Sequence, residues 1–421
     1  MSFRNVPAAR LNLLGAGMMI AATTIAPSVT LGETRVVPSI SLSERYDSNV
    51  FFGLAGQGPS KDDYVTNVTP QASVIHKGDT LEGRMTGGFT AEAYANNPGL
   101  NYVGANGSAS VILDRAVNRL VRNAKLQLTE SFMYTPQLPA FLSPVKSEDP
   151  GSITDTIVRG QQAARANTFT ITHGATGSYD LSRDASVNAG YTYTYLKFGN
   201  SFASPGTGGT FFNTHFQTAT LGLRESITPN DNLFLSYVYS QTNFKGNVGG
   251  GISEFTTHMG RLGYTKQLTT TLTATVGGGL IYIGPPDKTI QYVGDASLSY
   301  RYDRTIWTAG YSRAVVPAIS GQPLPLVSQT LTGSVQQPFT AKLNAVLSGN
   351  YAVSESTPTP IIKFTSIGST LAVNYIFLED QTTTYTISGS HSYQDYSIIF
   401  GGPELKFDRH VGMLTLKIAW K

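Results

Sequence analysis

The sequence predicts an all-β fold, a transmembrane antiparallel up-and-down β-barrel of about eighteen strands. Three observations predict it. Some eighteen segments of strand length alternate apolar with polar residues, so that each has one oily and one wet face. The connections between them alternate short and long, as they do when one end of a barrel carries turns and the other carries loops. An apolar leader of the export type opens the chain.

The leader comes first. Arg4 and Arg10 precede the apolar run from Leu11 to Ala22, small residues follow, and Gly32 stands before Glu33. This is the order of a secretory signal peptide, assigned to residues 1–32 with the cut between 26 and 32. Pro27 disfavours a cut directly after Ala26 and favours one near Gly32. The run falls short of the ~20 apolar residues that a spanning helix needs. Residues 33–421 are then expected to form one barrel domain.

Strands are expected near 35–48, 63–77, 79–95, 100–114, 120–134, 166–182, 185–198, 211–227, 231–245, 253–268, 271–284, 289–302, 305–317, 326–338, 341–354, 364–378, 381–397 and 405–420. After even-numbered strands the turns are brief and polar, as in Lys77-Gly78-Asp79, Ser182-Arg183-Asp184 and Asp303-Arg304. After odd-numbered strands they are longer, as at 49–62, 135–165, 199–210 and 246–252. An even count with short turns on one side places both termini in the periplasm of an outer-membrane protein. The basic stretch 114–125 is longer than this scheme expects; merging strands there would reduce the count to sixteen. The longest connection, 135–165, is a candidate to fold inward and narrow a pore.

The last segment shows the pattern most clearly. Gly412, Leu414, Leu416, Ile418 and Trp420 occupy one face, and Met413, Thr415, Lys417 and Ala419 the other. The apolar face ending in an aromatic resembles the C-terminal signal read by the outer-membrane assembly machinery, with Lys421 trailing the aromatic as a departure. Phasing the other segments by their apolar side leaves Arg45, Glu82, Arg84, Glu92, Lys125, Arg224, Arg261, Arg301 and Lys417 on the opposite, inward side. Arg or Lys facing lipid at mid-height costs roughly 2–4 kcal/mol, which favours the lumen for each. Basic residues outnumber acidic ones in this set, so anionic solutes would be favoured by the field. If the charges merely pair with one another, they only keep the interior wet.

Composition excludes several classes. There is no cysteine, hence no disulfide, no thiolate metal site and no N-terminal lipid anchor. Lys and Arg number 30 against 27 Asp and Glu, and the leader removes two of the basic ones, so bulk charge points to no nucleic-acid partner. The six histidines, His76, His173, His215, His258, His391 and His410, show no metal-ligand spacing. His391 and Ser392 are strand neighbours that point to opposite faces, so they make no catalytic pair. No enzyme and no cofactor are expected.

The segment Tyr46-Asp47-Ser48-Asn49-Val50-Phe51-Phe52, followed by Asp63-Tyr64 and then Pro70, resembles the opening of Gram-negative outer-membrane barrels tied to exopolysaccharide and PEP-CTERM gene systems. The match covers about thirty residues, with Ser48 where that family often has Asp or Thr. The resemblance implies a porin-like conduit working in exopolysaccharide export. Its partners would be membrane lipids, the assembly machinery, anionic polysaccharide and polysaccharide-export proteins. It implies no catalytic residue. From their own chemistry, Asp47 and Asn49 are strand-to-loop residues, with turn formation ahead of cation binding. A general solute porin and a plugged structural barrel are the alternatives.

Overall fold

A computed structural model describes residues 29–31, 34–50, 62–137, 166–201, 212–245, 253–285, 288–317, 324–400 and 404–420. The strands are β1 Thr34–Asp47, β2 Asp63–Lys77, β3 Glu82–Tyr94, β4 Tyr102–Ile112, β5 Ala124–Gln137 and β6 Ala166–Asp180. Next come β7 Ala185–Ser201, β8 Asn213–Thr228, β9 Asp231–Lys245, β10 Glu254–Gln267, β11 Leu272–Ile283 and β12 Thr289–Tyr302. The last six are β13 Thr305–Pro317, β14 Pro325–Pro338, β15 Leu343–Ser356, β16 Ile362–Glu379, β17 Thr383–Phe400 and β18 Leu405–Trp420. Val29–Leu31 adds a three-residue strand beside Thr34–Val36, within the stretch assigned to the leader. The leader's other residues, Phe51 and residues 138–165 of the longest connection lie outside the described residues.

Each of the eighteen long strands pairs antiparallel with its sequence neighbours, and β18 pairs with β1 from Val411 opposite Asp47 to Ala419 opposite Ser39. The sheet is therefore a closed barrel with no free edge between its first and last strands. The sixteen-strand alternative falls away because 114–125 does not continue a strand. Asp114–Asn118 form a single helical turn, α1, and Asn123 closes the connection with φ 65°. The turn is held by Leu126 N–H donating to Asp114 at 2.9 Å and by Arg115 reaching the Gly78 carbonyl at 2.9 Å.

Register sorts the side chains. Leu235 lies opposite both Leu223 and Leu262, and Leu347 opposite Leu371; with Met85 and Phe89 these are exposed. They define an apolar outer belt, which a closed barrel can hold stably only in a bilayer. Arg45, Arg84, Arg224 and Lys417 stand on the opposite parity, the inner face. That face is not polar throughout. Toward the long-loop end it carries buried apolar groups: Phe216, Phe244, Phe255 and Ile283 in one cluster, Leu326, Ile362 and Phe364 in a second. A third joins Val50, Val65, Tyr94 and Leu100. The alternation read from sequence marks two faces but not how one face changes along its length.

Candidate functional site

The inner wall is the candidate site, and its charges fall into two groups. At the long-loop end of β1 and β3, Arg45 donates to both Glu92 oxygens, at 3.1 and 3.4 Å, and to the Tyr94 hydroxyl at 3.3 Å. Tyr94 and Asn67 also donate to Glu92, at 2.8 and 3.1 Å. Across the closing seam Arg409 grips Asp47 through two nitrogens, with both side chains buried. Near mid-wall Arg261 pairs with Asp295 and lies 4.7 Å above the Phe234 ring. Two glycines make room for this group. A Cβ on Gly277 would sit 2.6 Å from the Arg261 guanidinium, and one on Gly263 2.0 Å from the Phe234 ring. Arg261 is 6% exposed at its side chain, so its charge is compensated inside the wall.

The second group lies at the short-turn end. Arg84, Arg224, Arg301 and Lys417 each stand within four residues of that end of their strands, and all are exposed. Among the described residues no carboxylate lies within ion-pair distance of any of them. Arg84 opens onto a hollow lined by the hydroxyl residues Thr86, Ser108, Ser110, Thr129, Ser131 and Thr172 together with Ala109 and Glu130. Lys125 meets Asp180 at 3.4 Å, and Glu82 meets Arg115 at 3.3 Å; both pairs are solvent-screened. Buried pairs thus gather toward the long-loop end and the middle, while the short-turn mouth holds the exposed pairs Lys125–Asp180 and Arg115–Glu82 beside the four uncompensated cations. Among the described residues no group of three His, Asp or Glu is placed to hold a metal.

No family model matches the sequence, and no curated protein does. Solved structures do match. The chain superposes on Pseudomonas aeruginosa OccK2 (OpdF) with a TM-score of 0.50 at 10% identity, covering 93% of this chain and 99% of that one. OccK2 in complex with glucuronate gives 0.49 at 11% identity, covering 92% and 99%. P. aeruginosa OpdK with vanillate gives 0.49 at 9%, covering 91% and 99%. The fold is that of the eighteen-strand outer-membrane barrels.

In this barrel the opening motif serves as bracing at the long-loop rim. Asp47 accepts from Asn49 N–H at 3.1 Å as well as from Arg409, which gives Asn49 the turn role its position suggests. Asp63 accepts four bonds, from the backbone N–H groups of Tyr64, Asn96 and Asn97 and from the Asn97 side chain, at 2.8–3.0 Å. It ties β2 to the next long-end connection. Tyr46 and Tyr64 face outward with ring centroids 5.2 Å apart. Pro70 pairs with Ile40 on β1, and the ladder to β3 skips it, where the missing N–H is tolerated. Gly412, Leu414, Leu416, Ile418 and Trp420 share the outer face, with Gly412 opposite Tyr46. The sequence reading left out Arg409, Asp295 and Phe234. Parity could have found the first two, since Arg409 shares the phase of Lys417 and Asp295 that of Arg301.

Proposed function

We propose that the chain is an outer-membrane solute channel with a preference for small anions, its long loops outside and both termini in the periplasm. One observation carries the preference: Arg84, Arg224, Arg301 and Lys417 stand around the short-turn mouth without carboxylate partners among the described residues. Uncompensated cations in a low-dielectric funnel raise the local concentration of anions. An eighteen-strand barrel has the girth for an aqueous path. The hydroxyl-rich hollow beside Arg84 offers donors and acceptors to a solute shedding water. The link to exopolysaccharide export rests on the motif resemblance alone. The motif residues here hold the rim together, so the general solute channel is the better reading.

Reversal potentials across planar bilayers under a salt gradient test this. The wild type should favour anions, and Arg84→Glu with Arg224→Glu and Arg301→Glu should move selectivity toward cations. Salt near 1 M should weaken the preference, because the Debye length shrinks to about 3 Å. A wild type that passes no current, or a triple variant with unchanged selectivity, leaves a plugged structural barrel as the account.

A further inference from the structure

The inner wall offers a solute two sides, and one of them is filled. The β12–β13 ladder ends at Gly294 opposite Arg313, while β13 and β14 stay paired up to Pro317 opposite Pro325. Beyond Arg313 the hairpin therefore leaves the wall. Val315 shares the outward phase of Trp307 and Tyr311, and Val327 that of Leu331, yet both are buried in one cluster with Ile281, Ile283 and Val293 of the inner face. Val316 and Leu326, of the opposite phase, gather with Ile362, Phe364, Tyr396 and Ile398 on β16 and β17. Gln291 of β12 also donates to Thr357 beyond β15 at 3.2 Å, although β13 and β14 lie between those strands around the wall. The hairpin end is thus turned into the lumen and wedged between the β10–β12 and β16–β17 walls at the long-loop end.

The β3–β6 side is of another kind. Ser73, Thr86, Ser108, Ser131, Thr172 and Thr194 lie opposite one another in turn, a hydroxyl at every step from β2 to β7. The row rises from near the short-turn end of β3 to the middle of β6, and β6 continues it upward through Thr170 and Thr168. Below it run Arg84, Ser110 and Thr129. Of the two charged residues at the hollow described above, Glu130 belongs to the outer face, where it meets His173 at 3.3 Å, and Arg84 to the lumen. A second hydroxyl row, from Ser299 through Thr308, Ser334, Ser348 and Thr370 to Ser392, climbs the other wall. It runs out beneath the turned-in hairpin, where Phe364 and Tyr396 take over the inner face of β16 and β17.

We propose that the β3–β6 wall is the solute track of the channel and that its ligand is a polyhydroxylated anion. This deepens the channel reading given above and rests on it. Arg84 takes the charge at the foot of the track. The hydroxyls above it each donate and accept, as those of the solute do, so each bond to water is replaced by a bond to the wall. An alkyl anion covers the same hydroxyls and leaves them short of partners. None of the residues lining the hollow is aromatic, so an apolar chain finds no surface there. The other row meets the wedge before it reaches the long-loop end, and solute crossing the barrel is left to the β3–β6 side.

Bi-ionic reversal potentials across planar bilayers compare potassium gluconate with potassium hexanoate, anions of equal charge and equal carbon count. Gluconate is the bulkier, so sieving alone favours hexanoate. The track should instead favour gluconate by roughly threefold or more, about what one net hydrogen bond supplies. Thr86→Val, Thr129→Val and Thr172→Val together remove three hydroxyls at nearly constant volume and should abolish that preference. Thr308→Val with Thr370→Val, on the other row, should leave it in place. Chloride-over-potassium selectivity, read in the same bilayers, tests the channel reading separately. The track is overturned, with the channel left standing, if a wild type that favours chloride passes hexanoate as readily as gluconate. It is equally overturned if the preference survives the three Val changes in a barrel that still migrates as the folded form on unboiled gels, or if the Thr308 and Thr370 pair abolishes it. A wild type with no chloride current overturns both.

Discussion

At the scale of single residues, the decisive groups are inner-face charges that come in pairs. Period-two alternation puts Arg45 and Glu92 on the inside without any structure, Glu92 because it stands between Ala91 and Ala93 and Arg45 because it is out of phase with Ile40, Leu42 and Tyr46. It cannot show that the two meet, since β2 lies between them and only the register aligns them. The same holds for Asp47, which finds its partner 362 positions away in Arg409. Removing one member of a buried pair leaves the other charge unsolvated, which typically costs about 3–5 kcal/mol. Asp47→Asn is therefore expected to lower the temperature at which the folded, fast-migrating form is lost on unboiled gels. An unchanged melting profile would show that Arg409 finds other compensation. Arg261 makes the complementary point. It is inward as its parity requires, yet Asp295 and Phe234 hold it against the wall, so its contribution to the lumen field is smaller than that of Arg224.

At the scale of elements, strands were legible and their ends nearly so. The expected bounds 63–77, 231–245, 289–302, 305–317 and 405–420 coincide with β2, β9, β12, β13 and β18. Each has a sharp apolar alternation that stops at turn formers. The stretch 114–125 was not legible, because a single turn of helix is too short to display a 3.6-residue period. The apolar clusters on the inner face were equally hidden. In β10, Phe255 and Met259 share the parity of Arg261, so a phase assigned from one end says nothing about the other. For β18 the outer face ending in Trp420 carries a testable role. Trp420→Asp combined with deletion of Lys421 should sharply reduce outer-membrane yield, measured by fractionation, because a carboxylate replaces the aromatic that ends the lipid-facing row. Normal yield would show that assembly reads another feature of this chain.

At the scale of the whole molecule, the strand count and closure followed from two regularities, alternation within segments and alternation between connections. What could not be read was how charge is distributed along the axis. Sequence supplied a list of inward cations; the fold compensates Arg45 and Arg261 inside the wall, holds Lys125 in an exposed pair with Asp180, and leaves Arg84, Arg224, Arg301 and Lys417 at the short-turn mouth with no carboxylate partner among the described residues. That division depends on which carboxylates lie across the strands, and so on register. It also turns a uniform basic lumen into a graded one. Selectivity should therefore respond to substitution of Arg84, Arg224 or Arg301 more than to substitution of Arg45, a difference that single-channel recordings of the individual variants can measure.

The seam between β18 and β1 has one more consequence. Ala419 lies opposite Ser39, so the two ends of the barrel sequence emerge side by side at the same rim as the short turns. Topologically the wall is a ring, and its starting strand is a convention of the gene. A short linker from Trp420 to Thr34, with new ends cut at Asp303-Arg304, would make β12 the final strand. That strand also closes on an outward row that ends in aromatics, Leu298, Tyr300 and Tyr302. Such a circular permutant, refolded in detergent, is expected to regain the compact, heat-sensitive form. Failure to do so would mean that the original order of strand addition, and not the closed ring alone, decides whether the barrel forms.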